Sequence, residues 1–323
     1  MKTPQFLQLH HEDGVQIRTE LLRGLQATKA YTSPKYLYDA LGSKLFEAIC
    51  ELPEYYPTRT EVAIFAEHAQ SMASHIPQGA ALIDLGAGNC QKAARLFGAL
   101  EPACYVAVDI SVDFLKDAMT RLQYQHPDLD MIGVGMDFAE SLALPKEALE
   151  GMAPRVFFYP GSSIGNFTPD EALAFLQRIR AACGASNQKQ GGLFIGVDLV
   201  KGKAELEAAY DDALGVTAAF NRNMLVHINR LIDGNFNIKD WSHVALYNEP
   251  LSRIEMHLQA KQDVALRWSG GERFFAKDER IHTENSYKWT VDGFSDLLQN
   301  AGFAKSIVWT DAEQKFAVMW ARA

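Results

Sequence analysis

The chain is predicted to be an α/β protein: a doubly wound, largely parallel sheet closed by a terminal antiparallel hairpin, plus a smaller α+β lobe. Three observations carry this. Apolar runs alternate with amphipathic stretches between about residues 80 and 200, the first run ends in a glycine-rich turn, and the tail holds two short apolar runs across Asp311-Ala312-Glu313. Runs apolar on both faces are the mark of a parallel sheet covered by helices on each side.

The elements follow in order. Residues 80–85, 104–109, 131–135, 155–159 and 192–198 read as strands. Stretches 91–100 and 112–122 between them have helical spacing. Thr168-Pro169-Asp170-Glu171 opens another helix, with Thr at the N-cap, Pro in the first turn and acids near the positive dipole end. After Lys201 the rhythm changes. Residues 204–231 read as helix, whereas 241–247 and 253–258 alternate like strands with one wet face. The tail resumes the earlier helix-and-strand rhythm, with a helix over 291–301 stopped by Gly302, then the hairpin 306–309 and 316–320. The sheet domain is therefore expected over 62–200 and 287–323, and the second lobe over 1–61 and 201–286. There is no internal repeat.

Composition narrows the partners. The 323 residues carry a formal charge of −9, which argues against a polyanionic partner because nucleic-acid binding depends on phosphate neutralisation. A small zwitterionic or cationic substrate fits better. Cys50, Cys90, Cys104 and Cys183 are scattered without CxxC spacing and read as reduced thiols. The His10-His11 pair has no metal-site spacing, so no metal is expected. With no apolar leader and no run of membrane-spanning length, a cytoplasmic protein, taken as a monomer with no membrane partner, is expected.

The chemistry concentrates at Asp84-Leu85-Gly86-Ala87-Gly88-Asn89. A dinucleotide fingerprint requires a small residue at the position held here by Gln91, which breaks it. An acid ahead of Gly-x-Gly is instead the form that binds S-adenosylmethionine, whose amino-acid part approaches the glycine backbone where any Cβ would intrude. Two further carboxylates end the next strands. Asp109, 23 residues beyond Gly86, is placed to accept both ribose hydroxyls. Asp137 is placed for the adenine amine, with Phe138 beside the ring. Such sheets bind ligands at the carboxyl ends of their strands, and the fold expected is the Rossmann-like sheet of class I methyltransferases.

Strings outside that fold extend the reading. Leu52-Pro53-Glu54-Tyr55-Tyr56-Pro57-Thr58-Arg59, Gly161-Ser162-Ser163-Ile164-Gly165-Asn166, Ala209-Tyr210-Asp211-Asp212, Phe220-Asn221-Arg222-Asn223 and Arg253-Ile254-Glu255-Met256 together resemble the histidine-specific Nα-methyltransferases of the ergothioneine pathway. The resemblance runs from about Tyr36 to the C-terminus. It implies conversion of L-histidine to its trimethyl betaine, hercynine, with three molecules of donor. It implies that Gly86, Lys92, Asp109, Asp137 and Phe138 contact the donor, and that Tyr55, Asn166 and Tyr210 hold the amino acid, with Asn166 and Tyr210 as the catalytic candidates. Thr283-Glu284-Asn285-Ser286 matches the segment that reads the imidazole, Glu284 and Ser286 pointing at its nitrogens with Asn285 alongside. Tyr38, Gly161, Phe220 and Met256 are implied as pocket walls. A rival within the same superfamily would methylate an indole amino acid or another amine; Glu284 argues against it, because a carboxylate against an indole face lacks compensation.

Overall fold

The computed structural model describes residues 1–9, 14–110, 112–144, 154–184 and 191–323; the His10-His11 pair lies outside them. Among these residues the strands are β1 (Gln5–Gln8), β2 (Ala30–Tyr31), β3 (Ala81–Leu85), β4 (Cys104–Asp109), β5 (Asp130–Gly135), β6 (Arg155–Tyr159) and β7 (Gly192–Asp198). They continue with β8 (Trp241–Asn248), β9 (Arg253–Ala260), β10 (Val264–Trp268), β11 (Gly271–Phe275), β12 (Arg280–Tyr287), β13 (Ile307–Thr310) and β14 (Phe316–Arg322).

The chain divides into two compact units, 1–11, 57–200 and 288–323, and 12–56 with 201–287. The first is built on one eight-stranded sheet of order β1-β5-β4-β3-β6-β7-β14-β13. All neighbouring pairs are parallel except β7–β14 and β14–β13. Every residue of β3 and of β7 is buried, which is why these strands lack alternation. Ile83, Val106, Phe157 and Ile195 pack on one face, in one core with Phe175, Leu176, Ile179, Phe294 and Leu298 from helices Pro169–Ala182 and Val291–Asn300. Leu82, Tyr105, Phe158 and Phe194 pack on the other, with Ile64, Phe65 and Met72 from helix Tyr56–His75 and Leu115 and Met119 from helix Val112–Gln125. After β3 the chain winds one way to β4 and β5, then crosses to β6 and β7. That reversal makes the carboxyl ends of β3 and β6 the topological switch point.

The second unit holds a four-stranded sheet, β2-β12-β9-β8, and the β10–β11 hairpin. Its core gathers Leu21, Leu25, Leu37, Phe220, Met224, Ile228, Trp241, Met256 and Phe275.

The structure departs from the sequence reading in several places, β1, β2, β10 and β11 being strands that the sequence pattern does not show. Residues 1–9 belong to the first unit because β1 pairs with β5, and residues 57–61 join it as well. The helix expected over 91–100 is two short ones, Gln91–Ala94 and Phe97–Leu100, since Leu96 N–H bonds back only three residues to Ala93. The helix expected over 204–231 is broken into Lys203–Ala208 and Val216–Ile232. Asp212 causes that break, its carboxylate accepting Val216 and Thr217 N–H at 2.9 and 2.7 Å, a helix-capping arrangement, while Gly215 takes φ +76°. Tyr210 consequently sits in the turn between two helices. β12, which carries Glu284 and Ser286, is likewise a strand where the sequence pattern shows none.

None of the four cysteines forms a disulfide. Burial pushes the Cys90 and Cys183 thiols up to about 12 and Cys104 to about 11, which leaves them unreactive. Among the described residues no helix is long and apolar enough to cross a membrane.

Candidate active site

In the first unit the residues expected to contact the donor converge at the carboxyl edge of β3, β4 and β5. The turn after β3 takes φ +72° at Gly86 and +52° at Gly88, left-handed conformations that glycine adopts without a Cβ penalty. Gly86 N–H bonds to Val108 and Gly88 N–H to the Asp109 carboxylate at 2.9 Å, so the loop is tied to the end of β4. Asp137 follows β5 and accepts Ala139 N–H at 3.1 Å. The Phe138 ring lies 3.7 Å from where a Gly86 Cβ would stand, and packs edge-on to Tyr159. A backbone cradle without a side chain, flanked by two carboxylates and an aromatic ring, fits S-adenosylmethionine.

A residue that the sequence does not single out organises the neighbouring edge. Glu61, on helix Tyr56–His75, is fully buried. One of its oxygens pairs with Lys92 Nζ at 2.8 Å and the other accepts Gly161 N–H at 2.8 Å. Two glycines make this possible. A Cβ at Gly196 would collide with the Glu61 carboxylate, and one at Gly161 would stand 2.8 Å from Lys92 Nζ. Gly161 also takes φ +76°. Lys92, expected at the donor, and Gly161, expected at the substrate, are thus held by one carboxylate. Asn166 ends the short turn Ser163–Asn166 beyond Gly161 and is half-buried. That turn is fixed to β7 by Asp198 N–H donating to Ser162 Oγ at 2.8 Å.

Asp84, which opens the donor loop, has an unusual protonation state. It is buried; Tyr105 donates its hydroxyl to one carboxylate oxygen at 2.7 Å, and the other oxygen has no hydrogen-bond partner. Burial pushes its pKa from 3.8 to about 7, against the Tyr105 hydrogen bond. In the unfolded chain it ionises near 3.8, so between that pH and about 7 the folded state holds the extra proton. Stability therefore falls as pH rises through this window and levels off above it, by on the order of 1–4 kcal/mol. Asp84→Asn is expected to lose that part of the decline. The stability difference between variant and wild type, followed by urea unfolding, should grow in the variant's favour from about pH 5 to about pH 8; a difference flat with pH would contradict this.

In the second unit, most of the expected substrate residues come together. Tyr38 packs edge-on to Phe220 at 5.5 Å and to Phe46 at 5.6 Å. Phe46 in turn meets Tyr55, which packs edge-on to Tyr210 at 6.1 Å. Phe46 gives no sign of this in the sequence, because on helix Ala40–Cys50 it reads as ordinary core. Burial, reinforced by Tyr210, holds the Tyr55 phenol well above its usual range, so it stays neutral. Tyr210 donates its hydroxyl to Ser286 Oγ at 2.7 Å, with both side chains buried. Glu284 is buried and lies opposite Met256 in the β12–β9 pairing.

Asn285 does not join Glu284 and Ser286 as the resemblance implies. It lies opposite Glu255, on the sheet face away from Glu284 and Ser286, and its amide oxygen accepts His282 Nε2 at 2.9 Å. On that face Glu255 takes hydrogen bonds from Arg253 at 2.6 Å and Asn248 at 2.9 Å, and pairs with His257 at 3.1 Å. These outweigh burial and bring the Glu255 carboxyl down to about 2. The Arg253-Ile254-Glu255-Met256 string is therefore split: Met256 faces the Glu284 side and the Arg253–Glu255 pair the other. Among the described residues there is no group of three or more metal-ligating side chains.

The switch-point loop and the carboxylates closing the next two strands define an S-adenosylmethionine-dependent methyltransferase. The chain matches the profile of the family described as histidine-specific methyltransferase, SAM-dependent, over residues 17–323, and it belongs to that family. It is 35% identical over 309 residues to the histidine N-alpha-methyltransferase of Mycolicibacterium smegmatis and 34% identical to that of Mycobacterium tuberculosis, covering 94% of this chain and 93% of each relative. It is also 32% identical over 283 residues to ergothioneine biosynthesis protein 1 of Neurospora crassa, covering 85% of this chain and 31% of that longer protein.

Proposed function

We propose that this enzyme transfers methyl groups from S-adenosylmethionine to the α-amino nitrogen of L-histidine, three in succession, forming hercynine for ergothioneine biosynthesis. The observation that carries the reading is the buried set Tyr210, Ser286 and Glu284. Tyr210 gives its proton to Ser286 Oγ, and the Ser286 hydroxyl is assigned to one imidazole nitrogen. Glu284 accepts the N–H of the other through a charge-assisted bond. One neutral tautomer satisfies both, and a ring lacking either nitrogen leaves a buried group unpaired, which costs far more than a lost apolar contact. Tyr210 on this account serves recognition, its hydroxyl being committed to Ser286.

For the donor, we assign Gly86 and Gly88 to the amino-acid part, Asp109 to the ribose and Asp137 with Phe138 to the adenine, with Lys92 held at this edge by Glu61. The donor supplies an electrophilic methyl group on a sulfonium. The substrate amine must be neutral to attack it. Tyr55 stays neutral, so it can orient the amine without holding it protonated, and desolvation lowers the amine's pKa. Holding nitrogen and methyl in line removes a large entropic cost. The aromatic set Tyr38, Phe46, Tyr55 and Phe220 suits the quaternary product through cation–π contact. Cysteines outside any disulfide accord with a reducing, cytoplasmic setting.

Incubation with donor and each of the twenty amino acids tests the substrate. Histidine alone should be turned over efficiently; turnover of tryptophan or tyrosine but not histidine would overturn the reading.

A further inference from the structure

A strand turns successive side chains to opposite faces, so residues 282, 284 and 286 of an unbroken β12 would share one face. They do not. His282 lies opposite His257, whereas Glu284 lies opposite Met256. His257 and Met256 are adjacent on β9 and point to opposite faces. One extra residue, Thr283, therefore sits in β12 as a bulge, and it reverses the facing of everything after it.

The reversal sorts the side chains by chemistry. On one face the imidazoles of His257 and His282 lie 5.1 Å apart, with Glu255 and Asn285. On the other are Glu284, Ser286 and Met256. An unbroken strand would set His282 in the row with Glu284 and Ser286, where the protein's own imidazole would compete for the groups assigned to the substrate's. The bulge is pinned from both sides. Thr283 is fully buried and its hydroxyl donates to the Met256 carbonyl at 3.0 Å. On the opposite face His282 and Asn285 bracket the extra residue with a 2.9 Å hydrogen bond.

We propose that Thr283 is a positioning residue for histidine recognition: the β12 bulge it forms turns Glu284 and Ser286 to the Met256 face, and its hydroxyl bond to Met256 fixes them there. This rests on the assignment of Glu284 and Ser286 to the imidazole. Thr283 touches no substrate and acts through Glu284 and Ser286.

The test compares Thr283→Val, which keeps the shape and deletes the hydroxyl, with Thr283→Ser, which restores it. Thr283→Val is expected to raise KM for histidine about tenfold, the scale of one buried hydrogen bond and its stranded partner. The affinity for S-adenosylhomocysteine should stay within about twofold, and Thr283→Ser should recover near-wild-type KM. Should Thr283→Val not fold, Asn285→Ala loosens the bracket from the half-buried face and should shift histidine KM the same way by a smaller factor. An unchanged histidine KM in Thr283→Val would overturn the proposal. So would a matching loss of S-adenosylhomocysteine affinity, or failure of Thr283→Ser to rescue. If Glu284→Ala leaves histidine KM unchanged, the underlying assignment fails and the proposal with it. Loss in Glu284→Ala without loss in Thr283→Val isolates the failure to Thr283.

Discussion

Glu284→Ala should lower kcat/KM for histidine by about a hundredfold or more and leave S-adenosylhomocysteine affinity within about twofold. The size follows from burial. Glu284 is buried on β12 beside Ser286, so removing it leaves an imidazole N–H without an acceptor where water is largely excluded. A hydrogen bond to a charged group contributes about 1.5–3 kcal/mol, and the desolvation cost of the stranded partner adds to it. Glu284→Gln should fall between, because the amide oxygen still accepts but without charge. Parallel histidine titrations and kinetics, with and without S-adenosylhomocysteine, measure both quantities. Equal loss of histidine and donor affinity would mean that Glu284 shapes the fold and does not read the substrate.

Glu61→Ala should be the most damaging single change in the first unit. Its carboxylate is fully buried and engages Lys92 and the Gly161 N–H together. Breaking a buried pair by deleting one partner costs about 3–5 kcal/mol. Lys92 is 29% exposed and regains some solvation, so the lower end, about 3 kcal/mol, is expected. Glu61→Gln keeps an acceptor for Gly161 and fills the space left by Gly196, so it should recover much of the stability. Its S-adenosylhomocysteine affinity should still fall about tenfold, because Lys92 loses its counter-charge. Chemical unfolding and calorimetric titration of the two variants separate these effects. A stable Glu61→Ala protein binding S-adenosylhomocysteine normally would show that the cluster does neither job.

What the sequence reveals, and what it hides, follows from how each signal is encoded. The strand ends that carry the residues assigned to the donor are legible because β3, β4 and β5 each announce themselves as apolar runs. Glu61 is not, since one acid on a 20-residue helix looks like a solvated side chain until the fold buries it. Asp212 hides the helix break: Tyr210 lies within helical spacing, and only the carboxylate's capping of Val216 and Thr217 reveals the turn. Asn285 groups with Glu284 and Ser286 by adjacency, and the Thr283 bulge that decides facing is a property of pairing with β9, which no local pattern records. The terminal hairpin is present as expected, its turn held by the Asp311 carboxylate accepting Lys315 and Phe316 N–H at 2.8 Å each.

Tandem mass spectrometry of histidine incubated with the enzyme and excess S-adenosylmethionine reports both how many methyl groups are added and where. The expected product carries three methyl groups, all on the α-nitrogen, with the imidazole unmodified. Methyl groups on a ring nitrogen, or unmodified histidine beside methylated product from another amino acid, would contradict it.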